Sequence, residues 1–175
     1  RQSIADSMID QAVDDASRLP KGPAREQATV AVVEALARAR RWDATESLLS
    51  QLTQPLLKLE ARVFMIKALK RPEDVKPDDL VQPDLAVLTQ EIEALATTII
   101  KGANNRSDGF ALRAIARAVN GRYTQARIDL QESTSSDRYE DALSYVASRQ
   151  TIAEGIEAGM VTAELAWKAS QRQRA

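Results

Sequence analysis

Apolar residues recur along most of this chain at three- and four-residue spacings, the pattern of helices that bury one face. Ile4, Met8, Ala12, Val13 and Ala16 mark a first helix over residues 3–19. Pro20-Lys21-Gly22-Pro23 ends it, because neither proline can donate an interior helical hydrogen bond, and Pro23 suits the first turn of the next helix. That second helix runs to about Arg40 with Val30, Val33, Leu36 and Ala37 on its apolar side. After Trp42-Asp43 a shorter helix buries Leu48, Leu49 and Leu52, and Asp43 with Glu46 has the spacing of a capping box. Pro55 opens a fourth helix that is apolar on nearly every side, which predicts a position between neighbours.

Residues 71–83 break this rhythm. Pro72, Pro77 and Pro83 stand among Glu73, Asp74, Asp78 and Asp79, which predicts an irregular acidic loop. Asp84 is placed to cap a long helix through Lys101. Ser107 or Asp108 starts the next, with Phe110, Ala114, Ile115 and Val119 on its packing face, and Asn120-Gly121 forms the turn after it. A short helix from Tyr123 to Leu130 follows, then a polar loop and a long apolar periodicity from Tyr139 to Trp167. Gly155 and Gly159 lie one turn apart there, and they fit either a close helix contact or a break near Gly159. In all, about eight to nine helices and no strand are expected.

The chain also repeats itself. Ala35-Leu36-Ala37-Arg38-Ala39 recurs as Ala114-Ile115-Ala116-Arg117-Ala118, and each copy leads into a turn with an arginine and an aromatic, Arg41-Trp42 or Arg122-Tyr123. The turn aromatic precedes Glu60-Ala61 and Asp141-Ala142 by the same 19 residues. Leu36 to Ile66 spans 30 residues and Ile115 to Val146 spans 31, the size of one antiparallel helical hairpin. Such hairpins cannot bury their apolar faces alone and must stack. The expectation is an all-α chain of antiparallel hairpins stacked as a short α-solenoid, with residues 1–175 as a single helical-repeat domain.

Gly121-Arg122-Tyr123-Thr124-Gln125-Ala126 resembles the turn of a tetratricopeptide unit, with an aromatic two residues after the glycine and an alanine five after it. In the first copy only Trp42 is kept: Arg40 stands at the glycine position and Thr45 at the alanine position. The units are shorter than the 34 residues usual in that family, and Leu36-Ala37 and Ile115-Ala116 replace its Leu-Gly signature. The resemblance covers residues 24–70 and 107–150. It implies a tetratricopeptide-like scaffold whose concave surface binds a peptide or protein partner.

Composition narrows the chemistry. With no cysteine and no histidine, the chain has no thiolate, no imidazole base and no Cys/His zinc site. No glycine-rich phosphate loop or nucleophile elbow occurs, so no catalytic, cofactor-binding or metal-binding residue is assigned, and a non-enzymatic role is expected. An aromatic fraction of 4% leaves alanine and leucine to do most of the packing. A formal net charge of −1 gives no general attraction to nucleic acid, which would need a local track of cations such as Arg25, Arg38, Arg41, Arg113, Arg117, Arg122 and Arg127. No apolar run approaches the roughly 20 residues that span a bilayer. The chain begins at Arg1 rather than Met, which fits a segment of a larger helical protein and leaves localisation unread.

The leading expectation is therefore a protein-interaction or scaffolding module with a groove formed by the first helices of successive hairpins. Arg38 and Arg117, at matching letters of the motif, are the candidate wall of that groove, with Arg113, Arg41 and Arg122 beside them. Guanidinium groups so placed could take carboxylates of a bound segment. Nucleic-acid binding along the arginine track and a purely structural role are the alternatives.

Overall fold

The computed structural model describes residues 4–69, 83–102 and 104–173. Residues 71–82 of the expected acidic loop lie outside that set. Among the described residues the chain is all-helical, with α1 (Ile4–Arg18), α2 (Pro23–Arg38), α3 (Trp42–Leu49), α4 (Pro55–Leu69), α5 (Leu85–Lys101), α6 (Arg106–Val119), α7 (Tyr123–Glu132), α8 (Tyr139–Glu154) and α9 (Ile156–Gln173). Where the sequence suggests one domain, the contacts gather into two compact units, Arg1–Leu88 and Thr89–Ala175.

In the first unit α2 is the hub, packed against α1, α3 and α4. Val33, Leu36, Leu59, Met65 and Ile66 are fully buried there, each contributing about 1.5–3 kcal/mol of apolar burial. Helix α4 buries seven of its residues, in keeping with its nearly all-round apolar sequence. In the second unit α6 packs on α7 and α8, and α8 on α9, around Ile92, Leu130 and Val146. Alanines close the helix crossings: Ala37, Ala61, Ala114, Ala118, Ala126 and Ala142 are all solvent-free. Gly109 serves the same end, because a Cβ there would lie 3.0–3.1 Å from the side chains of Ile100 and Ile99.

The turn joining α2 to α3 and the turn joining α6 to α7 have the same build. Arg40 and Gly121 take left-handed backbone angles, φ 58° and 72°. Arg41 and Arg122 follow as N-caps with φ −85° and −87°. The N–H of Arg41 bonds back to the Leu36 carbonyl at 3.0 Å, and that of Arg122 to the Arg117 carbonyl at 2.8 Å. Trp42 and Tyr123 then open α3 and α7, both buried. Asp43 falls inside the first turn of α3 instead of capping it, since the junction already sets Arg41 at the N-cap. Asp84 does cap α5, accepting from the amides of Ala86 at 2.7 Å and Val87 at 3.2 Å.

Matching the units on Trp42 and Tyr123 extends the repeat beyond a hairpin. The helix ahead of each hairpin is tied to the turn arginine by an acid, Asp10 to Arg41 at 2.6 Å and Glu93 to Arg122 at 3.9 Å. The start of each hairpin is clasped to the loop before its third helix. Glu26 takes the Thr53 and Gln54 amides in the first unit, whereas Ser107 meets Ser135 and Ser136 donates to Asp108 in the second. These matching contacts fall on the same order of four helices, α1–α4 and α5–α8, and α9 follows. The late break falls at Gly155 (φ 97°) and not near Gly159, which sits inside α9 and makes the close contact, 1.8 Å from a Cβ position to Thr151 Oγ1.

Arg40 occupies a left-handed position, which for a residue with a Cβ carries strain of about 1–2 kcal/mol. Arg40→Gly removes that strain and returns about 0.4–1 kcal/mol of unfolded-chain entropy. The expected net gain is about 1 kcal/mol in denaturant unfolding, with Gly121→Ala costing a similar amount.

Candidate functional site

The five arginines singled out in the sequence are all held by carboxylates of the chain itself. Arg38 pairs with Glu34 one turn back on α2, and its side chain is 58% exposed. Arg41 is taken by Asp10 and Arg122 faces Glu93, as described above. Arg113 makes a two-pronged contact with Asp129 on α7, Nε to Oδ2 at 3.0 Å and Nη2 to Oδ1 at 2.8 Å. Arg117 reaches the same carboxylate with Nη1 at 2.9 Å, while its Nε and Nη2 donate to Glu93 on α5 at 3.1 and 3.3 Å.

Arg38 and Arg117 share a motif letter but not an environment. Arg38 stands three residues before the turn arginine and Arg117 five. Two residues turn a helix by about 200°, so Arg38 points to solvent while Arg117 is 18% exposed. The turn, not the lettering, sets which face is buried.

In the register of Trp42 and Tyr123, the trio Arg113, Arg117 and Asp129 stands where the first unit has Val32, Leu36 and Leu48, all buried. One unit fills these positions with aliphatic side chains and the other with an ion cluster roofed by Phe110, whose ring centre lies 5.2 Å from the Arg113 guanidinium. Burial pushes the Asp129 carboxyl above its ordinary value against the pull of Arg113 and Arg117. Asp129 and Glu93 escaped notice in the sequence. The available signal was an acid on α7 in a column that is leucine in the other copy.

A second polar assembly lies in the first unit, where the start of α2 faces the α3–α4 loop across a cleft of about 360 Å³. Glu26 forms one wall and its charge is fully engaged. Its Oε2 accepts the N–H groups of Thr53 and Gln54, each at 3.1 Å, and its Oε1 accepts the Thr53 hydroxyl. The Thr53 hydroxyl first, and then the Gln54 amide, holds this carboxyl below the usual range. Lys21, Gly22, Arg25 and Gln51 line the remainder. Thr29, at the base, is turned away into a bond with the Arg25 carbonyl at 2.8 Å.

Among the described residues there is no group of three acids that could hold a metal ion, and no helix long and apolar enough to cross a membrane. Set against known proteins, the chain matches no family model, no curated protein and no solved structure.

Two stability measurements test these assemblies. Asp129→Leu leaves two guanidiniums facing each other and is expected to cost about 3 kcal/mol or more. The triple variant Arg113→Met, Arg117→Leu, Asp129→Leu, which restores the aliphatic solution of the first unit, should be at least as stable as the parent. Glu26 has a lowered folded-state value, so its contribution is present above the ordinary glutamate value of 4.5 and is lost as pH falls through the folded-state value. The stability gap between the parent and Glu26→Gln should therefore narrow below pH 4.5 in urea titrations.

Proposed function

We infer that the chain is a non-enzymatic protein-interaction or scaffolding module, built from a duplicated four-helix unit in the manner of tetratricopeptide-like repeats. The observation that carries this reading is the α8–α9 turn. Ile152, Ile156 and Met160 are 76%, 72% and 58% exposed around the left-handed Gly155. Single exposed aliphatics are ordinary, but large apolar side chains grouped on one turn are a recurring feature of protein-binding surfaces. Ile156 and Met160 share one face of α9, and Ile152 lies in the last turn of α8. The partner is a protein that covers this turn.

The internal pairing of Arg113, Arg117, Arg41 and Arg122 argues against the nucleic-acid alternative. Phosphate binding would have to break those contacts before it gained any of its own.

The experiment is capture of partners from lysate by the parent chain and by Ile156→Glu/Met160→Glu, each with and without nuclease. The exposed positions keep the variant folded, which circular dichroism checks. A defined set of proteins that survives nuclease and is lost from the variant supports the module. Recovery that is unchanged in the variant, or that disappears with nuclease, contradicts it.

A further inference from the structure

We propose that the cleft between the start of α2 and the α3–α4 loop receives a carboxylate side chain of a partner peptide, with Arg25 and Lys21 as its cationic contacts. The proposal rests on the interaction-module reading and adds where, and by what chemistry, an acidic segment is held.

Charge selection within the chain points to this cleft. Arg38, Arg41, Arg62, Arg113, Arg117, Arg122 and Arg138 each have a carboxylate partner. Lys21 and Arg25, like Arg40 and Arg127, have none among the described residues, and these two share the lining of one concave site. The acid between them, Glu26, has spent its oxygens on Thr53 and Gln54. Its ionised state, held by those bonds, leaves two cations against one anion. A lining charge of +1 suits a single carboxylate better than a phosphate dianion, which would meet the Glu26 charge at close quarters.

The shape of the site serves the same ligand. Gly22 has φ 152° and nothing within 4 Å of a Cβ position, so no side chain closes the cleft there. No side chain caps the first turn of α2, and the peptide dipoles there favour negative charge. Gln51 supplies a neutral donor opposite. A volume of about 360 Å³ is at the small end for ligand sites, which fits one side chain with its flanking backbone.

The second unit acts as an internal comparison. In the register of the turns, Gly102 replaces Lys21 and Glu132 replaces Gln51. Arg106, which matches Arg25, lies over the Phe110 ring at 5.6 Å. The clasp of helix start to loop is common to both units, whereas the Lys21 and Gln51 positions are Gly102 and Glu132 in the second. Helix capping is therefore not what Lys21 and Arg25 are needed for.

The test is an amide-resolved NMR titration of the full chain with an eight-residue peptide, acetylated and amidated at its ends, carrying one central Glu. Its Gln counterpart, glutarate and inorganic phosphate are run in parallel. The expected result is saturable shifts at Gly22, Arg25, Gln51 and Thr53 with the Glu peptide, at least tenfold weaker binding of the Gln peptide, and weakening as salt rises. Lys21→Gln/Arg25→Gln, which removes no intrachain ion pair, should lower affinity at least tenfold with the remaining spectrum unchanged. Equal binding of the two peptides, shifts confined to other residues, or tighter binding of glutarate or phosphate than of the Glu peptide would overturn the proposal. If the double variant still captures the same lysate proteins and binds the Glu peptide undiminished, the cleft assignment falls while the module reading stands.

Discussion

The left-handed junction between paired helices is the constraint on which each unit depends. One residue at positive φ, Arg40 or Gly121, lets the next amide bond five residues back to Leu36 or Arg117 and turns the chain into α3 or α7. That geometry fixes where Trp42 and Tyr123 enter the core. It also fixes the rotation of the preceding helix, and hence which of its side chains meet α3 or α7. Because the turn arginine follows the left-handed residue directly, the same step brings Arg41 and Arg122 to the acids of α1 and α5.

Once the junction is set, two chemistries fill the same positions behind it. Val32, Leu36 and Leu48 gain by leaving water. Arg113, Arg117 and Asp129 must recover a large desolvation cost through close, two-pronged contacts, with Glu93 taking the remaining donors. The second solution is no more stable in principle, but it is more demanding of geometry. It ties α5, α6 and α7 together through Arg117, which reaches Glu93 on α5 and, on α7, the Asp129 carboxylate that is 1% exposed. The arginines most visible in the sequence are thereby engaged within the chain, while Lys21 and Arg25, which line one cleft, have no carboxylate partner among the described residues.

Much of this was legible in advance for physical reasons. Helix positions follow from apolar spacing, and Pro23, Pro55 and Asp84 mark true helix starts because their effects are local. The glycine-to-arginine exchange at position 40 was visible as a departure from the repeat, and the backbone there keeps the glycine conformation. What failed was the equivalence of Arg38 and Arg117. Identical letters suggested one face, yet a two-residue difference in distance to the turn rotates them apart. The four-helix period was hidden for a related reason: the acids that reveal it, Asp10 and Glu93, lie far in sequence from Arg41 and Arg122. The cleft was also hidden, since Glu26 and Thr53 are brought together only by packing of α2 on α4.

The junctions at Arg40 and Gly121 put the two units in one register, with Trp42 matching Tyr123. Residue-resolved amide hydrogen exchange tests it most directly. Strong protection is expected at Arg41 and Arg122, matched protection at Thr45 and Ala126, and a pattern over α2–α4 that recurs over α6–α8 when Trp42 is aligned with Tyr123. Fast exchange at Arg41 and Arg122, or a pattern that recurs only when Leu36 is aligned with Ile115, would contradict it.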